Sequence, residues 1–312
     1  MKSGKLVVFR CDGGPKLGAG HVMRCLAMAE ILQSLGWKCS FAVNANTKLK
    51  LLDKSPFNQI ILANNHMPED LGDKLSEECA LLVVDHYGLD ASYEKGCRKW
   101  AQKICVFDDL ANRSHDCDML VDFTPNRLPS QYKGITPQKC QFFIGPNYAP
   151  LRHEFFTARI HQSRSKKPNT LPHLLITPGA TDPTNITGTI LKAIRDSQLD
   201  INVTATLSAD APHKNEVEEL LNTIGGTLLL DCRVMAQIIE RADLIIGSGG
   251  MSSWERCCLS KPSILIINAK NQRANASALE SIGAAKIINT CGKDIEIILS
   301  LIHISEPTRR RT

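Results

Sequence analysis

Phe9-Arg-Cys-Asp-Gly-Gly-Pro-Lys-Leu-Gly-Ala-Gly-His-Val-Met-Arg24 is the stretch whose reading decides the fold. Lys5 to Phe9 forms a short apolar run of buried-strand type. Gly13, Gly14, Gly18 and Gly20 then allow a tight loop free of side chains, and from Val22 the apolar residues Val22, Leu26, Ala29 and Leu32-Leu35 recur at helical spacing. A strand, a glycine loop and a helix in that order open an α/β unit. His21 falls near the helix start, where free N–H groups and the positive end of the dipole favour anions and disfavour imidazolium. It is therefore a candidate general base. Arg24 lies one turn on, on the same face, placed to hold a phosphate or to orient the base. Two commoner phosphate loops do not fit. A dinucleotide fingerprint needs a small residue where Met23 stands, and a P-loop needs Gly-Lys-Ser/Thr where Gly20-His21-Val22 stands. The plain alternative is a strand-helix turn whose histidine packs or caps.

The chain has 312 residues, which suggests two domains of roughly 150 residues each. Its net charge of +5 is dispersed, apart from Arg309-Arg310-Arg311 and Arg164-Ser-Lys-Lys167, and aromatic residues are only 5%. That combination argues against a nucleic-acid partner and for an acidic small molecule. The twelve cysteines are scattered without a Cys-x-x-Cys pair and read as reduced thiols of a cytoplasmic protein. His115-Asp-Cys-Asp118 is the densest metal-type cluster, but it lacks matching partners elsewhere and reads as a polar turn. The chain opens on a strand rather than a signal sequence, and no apolar run reaches about 18 residues, so neither export nor membrane insertion is expected. Oligomeric state has no signature in the sequence.

Beyond the first helix, Lys38–Val43, Gln59–Leu62, Ala80–Asp85, Ile104–Asp108 and Met119–Asp122 read as strands, with helices at Glu69–Glu78 and Ala91–Lys103. Periodicity fades through Pro125, Pro129, Pro137 and Pro146. The polar, proline-bearing stretch His161–Pro172 reads as a linker. A second series follows, with strands His173–Thr177, Asn202–Leu207, Thr227–Leu230, Leu244–Gly247, Ser263–Ile267 and Lys286–Ile288. Helices Asn185–Arg195, Pro212–Thr223, Val234–Arg241, Ser252–Leu259 and Ala274–Ile282 alternate with them. The fold class expected is α/β, with two doubly wound Rossmann-like domains facing across a cleft: residues 1–160, a linker at 161–172, residues 173–304, and a frayed tail at 305–312. Ligands of such sheets bind at the carboxyl ends of the strands.

Polar groups gather at those ends. Arg10 and Asp12 follow the first strand, Asp85-His86-Tyr87 the fourth, and Asp108-Asp109 the fifth. Their alternatives are helix caps and satisfied turn residues. In the second half, Gly247-Ser-Gly-Gly-Met-Ser-Ser-Trp-Glu255 repeats the strand, glycine loop, helix order. Its backbone N–H groups suit a diphosphate, with Ser248, Ser252 and Ser253 as hydroxyl donors beside Gly249 and Gly250. Glu255 is placed to accept from a ribose diol, or else to form a capping box with Ser252. Pro178-Gly-Ala-Thr-Asp182, carrying Gly179 and Asp182, is a further turn of this kind. Lys270-Asn-Gln-Arg-Ala-Asn275 lies between a strand and its helix.

Taken together, the opening Arg-x-Asp…Gly-x-Gly-His-x-x-Arg block, Val83–Gly88, Phe107–Ala111, Tyr148–Arg152, the Gly-Ala-Thr-Asp-Pro block and Gly-Ser-Gly-Gly…Trp-Glu resemble the UDP-sugar hydrolases of pseudaminic acid synthesis. The resemblance runs from Phe9 to about Ile288. It implies a glycosyltransferase-B-like fold related to the glucosaminyltransferase of peptidoglycan synthesis, with a UDP-linked 2,4-diacetamido-2,4,6-trideoxy sugar as substrate. It further implies His21 as the base that activates water, Tyr87 at the sugar, Glu255 and the Ser248–Ser253 loop at the nucleotide, and Asn271-Gln272 as another substrate-contacting pair. Gly13-Gly14-Pro15-Lys16 and the basic tail depart from the pattern and carry no implied contact.

Departing UDP is already a weak base, so neutralising the diphosphate does much of the task of a general acid. What remains is to deprotonate and aim water at the anomeric carbon, with inversion. Asp12 and Tyr87 are candidates for orienting His21 or sugar hydroxyls, and the scheme requires neither metal nor cofactor. Its rivals are a glycosyltransferase of the same fold and a nucleotide-sugar-binding protein without turnover.

Overall fold

A computed structural model describes residues 4–14, 18–47, 50–63, 67–161, 171–267 and 272–288. Asn271, most of the expected linker and the whole of the expected tail lie outside the described residues, as do Pro15 and Lys16. The chain divides into two compact units, Met1–His153 and Glu154–Thr312.

In the first unit the strands are β1 (Leu6–Cys11), β2 (Lys38–Asn44), β3 (Asn58–Leu62), β4 (Cys79–Asp85), β5 (Ile104–Phe107), β6 (Met119–Asp122) and β7 (Gln141–Ile144). Helices α1 (Gly20–Ser34), α2 (Lys50–Asp53), α3 (Pro68–Gly72) and α4 (Ala91–Cys97) connect them. Every pairing is parallel, in the order β3-β2-β1-β4-β5-β6-β7. Such a sheet is covered on both faces, which is why its central strands β1, β4 and β5 are buried along nearly their whole length rather than at alternate positions. On β1, Leu6 and Val8 enter one core with Leu82, Val84, Leu71 and Tyr93, while Val7, Phe9 and Cys11 enter the other with Val22, Cys25, Leu26 and Ala29 of α1. Each fully buried side chain of this size contributes roughly 1.5–3 kcal/mol.

The strand order reverses between β1 and β4, where Cys11 lies level with Asp85. That switch point is where an open α/β sheet leaves a crevice. The glycine loop after β1 is pinched shut by paired backbone bonds between Gly14 and Gly18, and both glycines take positive φ (148° and 74°) that a side chain would strain.

The second unit opens with α5 (His153–His161), whose first residue is the last of unit one. It continues as β8 (His173–Thr177), α6 (Ile186–Ser197), β9 (Asn202–Leu207), α7 (Lys214–Thr223), β10 (Thr227–Leu230) and α8 (Met235–Arg241). Then come β11 (Leu244–Ser248), α9 (Ser252–Cys258), β12 (Ser263–Ile266), α10 (Gln272–Ser281) and β13 (Lys286–Ile288). Its parallel sheet runs β10-β9-β8-β11-β12-β13 and so repeats the first topology, with the switch point between β8 and β11. Ile190, Leu191 and Ile194 of α6 and Val217 and Leu221 of α7 pack on Leu174, Ile176, Val203 and Ile246 of the sheet.

The expected helix over Glu69–Glu78 ends at Gly72, where a Cβ would come within 2.6 Å of the Trp100 ring. The helix expected to run to Lys103 stops at Cys97, because Ala101 bridges to Cys79 and Gln102 N–H bonds the Cys79 carbonyl, which feeds the chain into β5. β7 and α5 lie in or beside the proline-rich region where no periodicity was legible.

Candidate active site

β4 delivers Asp85 to the switch point and α1 brings His21 and Arg24 down to it. His21 Nδ1 lies 2.6 Å from Asp85 Oδ1, in a pair 64 residues apart in sequence. Arg24 grips the same carboxylate with two bonds, Nε to Oδ2 and Nη2 to Oδ1, both 2.5 Å, and reaches Asp109 Oδ2 with Nη1 at 3.1 Å. Asp85 Oδ1 can only accept, and Arg24 Nη2, 3.1 Å from His21 Nδ1, spends its proton on that same oxygen, so the short His21–Asp85 contact puts a proton on Nδ1 and aims it at Asp85. Nε2 then carries the lone pair, and among the described residues it has no hydrogen-bond partner.

Asp85 is wholly buried. Burial by itself would raise its pKa, but Arg24 and His21 outweigh that and hold it well below the ordinary carboxylate range. Arg24 answers in kind: burial opposes its charge, and Asp85 and Asp109 raise its pKa well above that of a free guanidinium. Its guanidinium also stacks near Phe107 and Phe123, 5.6 and 5.4 Å from the ring centroids.

Tyr87 meets the imidazole edge-on, with ring centroids 4.6 Å apart, and its hydroxyl donates to Asp109 Oδ2 at 3.2 Å. Asp109 therefore joins Tyr87 to Arg24. Beneath it a polar network fixes the loops. Arg127 spans the Asp109 carbonyl and Asp122 Oδ2, Tyr132 donates to Asp122 and Asp108, and Arg113 ties Asp108 to the carbonyls of His86 and Leu89.

Asp12 is held elsewhere, so the carboxylate against His21 is Asp85. Arg10 pairs with Asp12 through both terminal nitrogens at 3.0 Å, while Asn44 N–H and the Thr47 hydroxyl donate to Asp12 Oδ1. His86 accepts from Gly88 N–H on Nδ1, which leaves Nε2–H to donate to Asp12 at 3.2 Å. Burial works against ionised Asp12, yet His86 and Arg10 keep its carboxyl well below the usual range. Arg10 is 0% exposed and is occupied by Asp12 and the Ala42 carbonyl, so it braces Asp12 rather than meeting a ligand itself. Arg24 and Asp85, expected as ligand contacts, are likewise taken up by one another and by His21. The metal-type cluster is dispersed: His115 pairs with Glu94, Asp118 with Arg98 and Lys103, and Cys117 faces Cys140. Gly18 and Gly20 have open space where a side chain would stand.

In the second unit the loop Gly249-Gly250-Met251 joins β11 to α9. Met251 occupies the N-cap position, so Ser252 and Glu255 do not form the capping box that was their alternative reading. Gln272 of α10 packs against Gly249, and Asn275 donates its amide N–H to the Gly249 carbonyl at 2.8 Å. Asp182 is buried with its carboxylate accepting from Ile186 and Thr187 N–H, and thus anchors α6 rather than facing out. Gly179 takes φ +140° in the neighbouring loop. Sequence reasoning passed over Arg256. Buried under the loop, it donates to the Ser248 carbonyl (2.7 Å) and to the hydroxyls of Ser252 (3.0 Å) and Ser253 (3.1 Å). The one available signal was its place four residues beyond Ser252, one helical turn on.

No helix among the described residues is long and apolar enough to cross a membrane. Residues 179–303 match the glycosyltransferase family 28 C-terminal domain. The chain is 26% identical over 278 residues to the UDP-2,4-diacetamido-2,4,6-trideoxy-β-L-altropyranose hydrolase of Campylobacter jejuni subsp. jejuni, covering 89% of this chain and 97% of that protein. It is 21% identical over 296 residues to a Helicobacter pylori protein named as pseudaminic acid cytidylyltransferase and UDP-2,4-diacetamido-2,4,6-trideoxy-β-L-altropyranose hydrolase, with 93% of this chain matching half of that longer one. Among solved structures, Acinetobacter baumannii MurG superposes with a TM-score of 0.66 at 16% identity, over 96% of this chain and 90% of that one. Two doubly wound sheets in this order, a match to the family 28 C-terminal domain and this likeness along most of the chain give it a glycosyltransferase-B-like α/β fold and a resemblance to the UDP-sugar hydrolases of pseudaminic acid synthesis.

Proposed function

We propose that the chain hydrolyses a UDP-linked 2,4-diacetamido-2,4,6-trideoxy sugar at the anomeric C–O bond, releasing UDP and the free sugar for pseudaminic acid synthesis. The observation that carries this reading is the His21–Asp85 pair. With Nδ1–H aimed at a carboxylate that Arg24 keeps ionised and fixed, the imidazole presents Nε2 as a base of defined direction. His21 Nε2 takes a proton from water, the water oxygen bonds to the anomeric carbon from the face opposite the nucleotide, and the bond to the diphosphate oxygen breaks. Its electron pair leaves with UDP. Displacement of this kind inverts the anomeric centre.

The roles follow from the contacts. Asp85 and Arg24 position the base, and Tyr87 packs on its edge and is assigned to the sugar. Asp12, held by Arg10 and His86, supports the rim of the crevice. In the second unit, Ser248, Gly249, Gly250 and Ser252 with Gln272 are assigned to the diphosphate and nucleotide, and Glu255 to the ribose; Asn271 is assigned with Gln272 from the sequence alone. The names of the two relatives support a hydrolase of a UDP-sugar, and the family 28 match supports a glycosyl group as what is transferred.

That same match favours the rival, a transferase that passes the sugar to an acceptor. NMR of the purified protein with UDP-2,4-diacetamido-2,4,6-trideoxy-β-L-altropyranose in ¹⁸O-labelled water, with no acceptor, separates the two. Hydrolysis yields free sugar of inverted configuration with the label on the anomeric oxygen. Label in the phosphate of UDP rules out the mechanism, and release of neither product points to a transferase or a binding protein.

A further inference from the structure

Arg256 is 1% exposed, and among the described residues no carboxylate lies within ion-pair distance of it. Its three bonds go to neutral oxygens, and its Nε is buried without a partner. Burial pushes its pKa down to about 10, against the opposing pull of Cys257 and Glu255. A buried cation with no carboxylate in direct contact carries a desolvation cost that a neutral donor would avoid, and an arriving anion relieves that cost.

The wiring is specific. Nη2 holds the last carbonyl of β11 and the Ser253 hydroxyl, and Nη1 holds the Ser252 hydroxyl, so one guanidinium clasps both ends of the Gly249–Met251 loop. The close approach is built in: a Cβ on Gly247 would lie 2.6 Å from Arg256 Nη1 and 2.9 Å from the Thr177 carbonyl. Ser253 spends its proton on the Ser248 carbonyl at 3.2 Å. Ser252 is different: it accepts from Arg256, and among the described residues its own proton goes to no acceptor. An N–H from a cation into a hydroxyl oxygen polarises that O–H and makes it a stronger donor.

We infer that Arg256 is a positioning residue for a nucleoside diphosphate, acting through Ser252, whose arginine-backed hydroxyl donates to a phosphate oxygen. The inference rests on the assignment of this loop to the nucleotide. Its test is a double-mutant cycle on the full chain, with UDP affinity measured by titration calorimetry and folding by thermal melting. S252A and R256K are each expected to weaken UDP binding about tenfold, the scale of one hydrogen bond to a charged group. The double variant is expected to bind no worse than the weaker single one. Losses that add, or S252A at wild-type affinity, overturn the inference. An arginine that serves only the fold would lower the melting temperature of R256K and leave S252A unchanged. If R256K does not fold, S252A alone decides by the same criterion. A wild-type protein that fails to bind UDP overturns the nucleotide assignment, and this inference with it.

Discussion

At the scale of single residues, the site is a chain of charges in which each member fixes the next. Arg24 is shared between Asp85 and Asp109, Asp85 between Arg24 and His21, and Asp109 between Arg24 and Tyr87. Asp85→Asn keeps the shape but loses the charge that selects the tautomer, so kcat should fall by roughly 10²–10⁴ with KM nearly unchanged. Steady-state kinetics check this, and an equal rise in KM would place Asp85 on the substrate instead. Arg24→Met strips buried Asp85 of its permanent cation and leaves it only the His21 imidazole, and stability should drop by about 3–5 kcal/mol in urea denaturation. His21, Asp85 and Tyr87 were legible in the sequence because each follows an apolar strand or a glycine loop. The pairing of His21 with Asp85 was not, since it depends on β1 lying beside β4 rather than on spacing. Arg256 was invisible for a related reason: a charged residue at a helical position reads as solvated surface until the loop it supports is seen.

Among the elements, those with a buried strand's near-continuous apolarity were readable nearly to the residue, as with Ala80–Asp85 and His173–Thr177, which match β4 and β8 to within one residue. β7 escaped because Gln141–Ile144 is an edge strand, only partly buried and set between Pro137 and Pro146. α5 escaped because Phe155 is its one buried residue while Phe156 and Ile160 are exposed, which erases the helical stripe. β8, β11 and α9 meet closely at Gly247. Gly247→Ala drives a methyl group into Arg256 and the Thr177 carbonyl and should destabilise the second unit by roughly 1–3 kcal/mol, seen as a lower thermal midpoint. An unchanged midpoint would show that the arginine moves freely, contrary to the clasp described above.

For the whole molecule, the repetition of one topology in two units was legible from the alternation of strands and helices, because a parallel sheet needs a crossover after every strand. Acid should expose the cost of the buried carboxylates. Asp12 and Asp85 stay ionised in the folded chain below the pH, about 4, at which they take up protons when unfolded. Their stabilisation is complete above about pH 5 and is lost as pH falls, since the unfolded chain then binds protons that the folded one refuses. Denaturation midpoints between pH 3 and 7 should decline toward acid, with a shallower decline in Asp85→Asn; a midpoint that rises toward acid contradicts this. The central claim is that one imidazole activates the attacking water, and UDP release by His21→Asn from the same UDP-sugar tests it most directly. The account predicts a loss of roughly 10²–10⁴-fold with UDP affinity and melting temperature held; release at the wild-type rate from a folded, UDP-binding variant would contradict it.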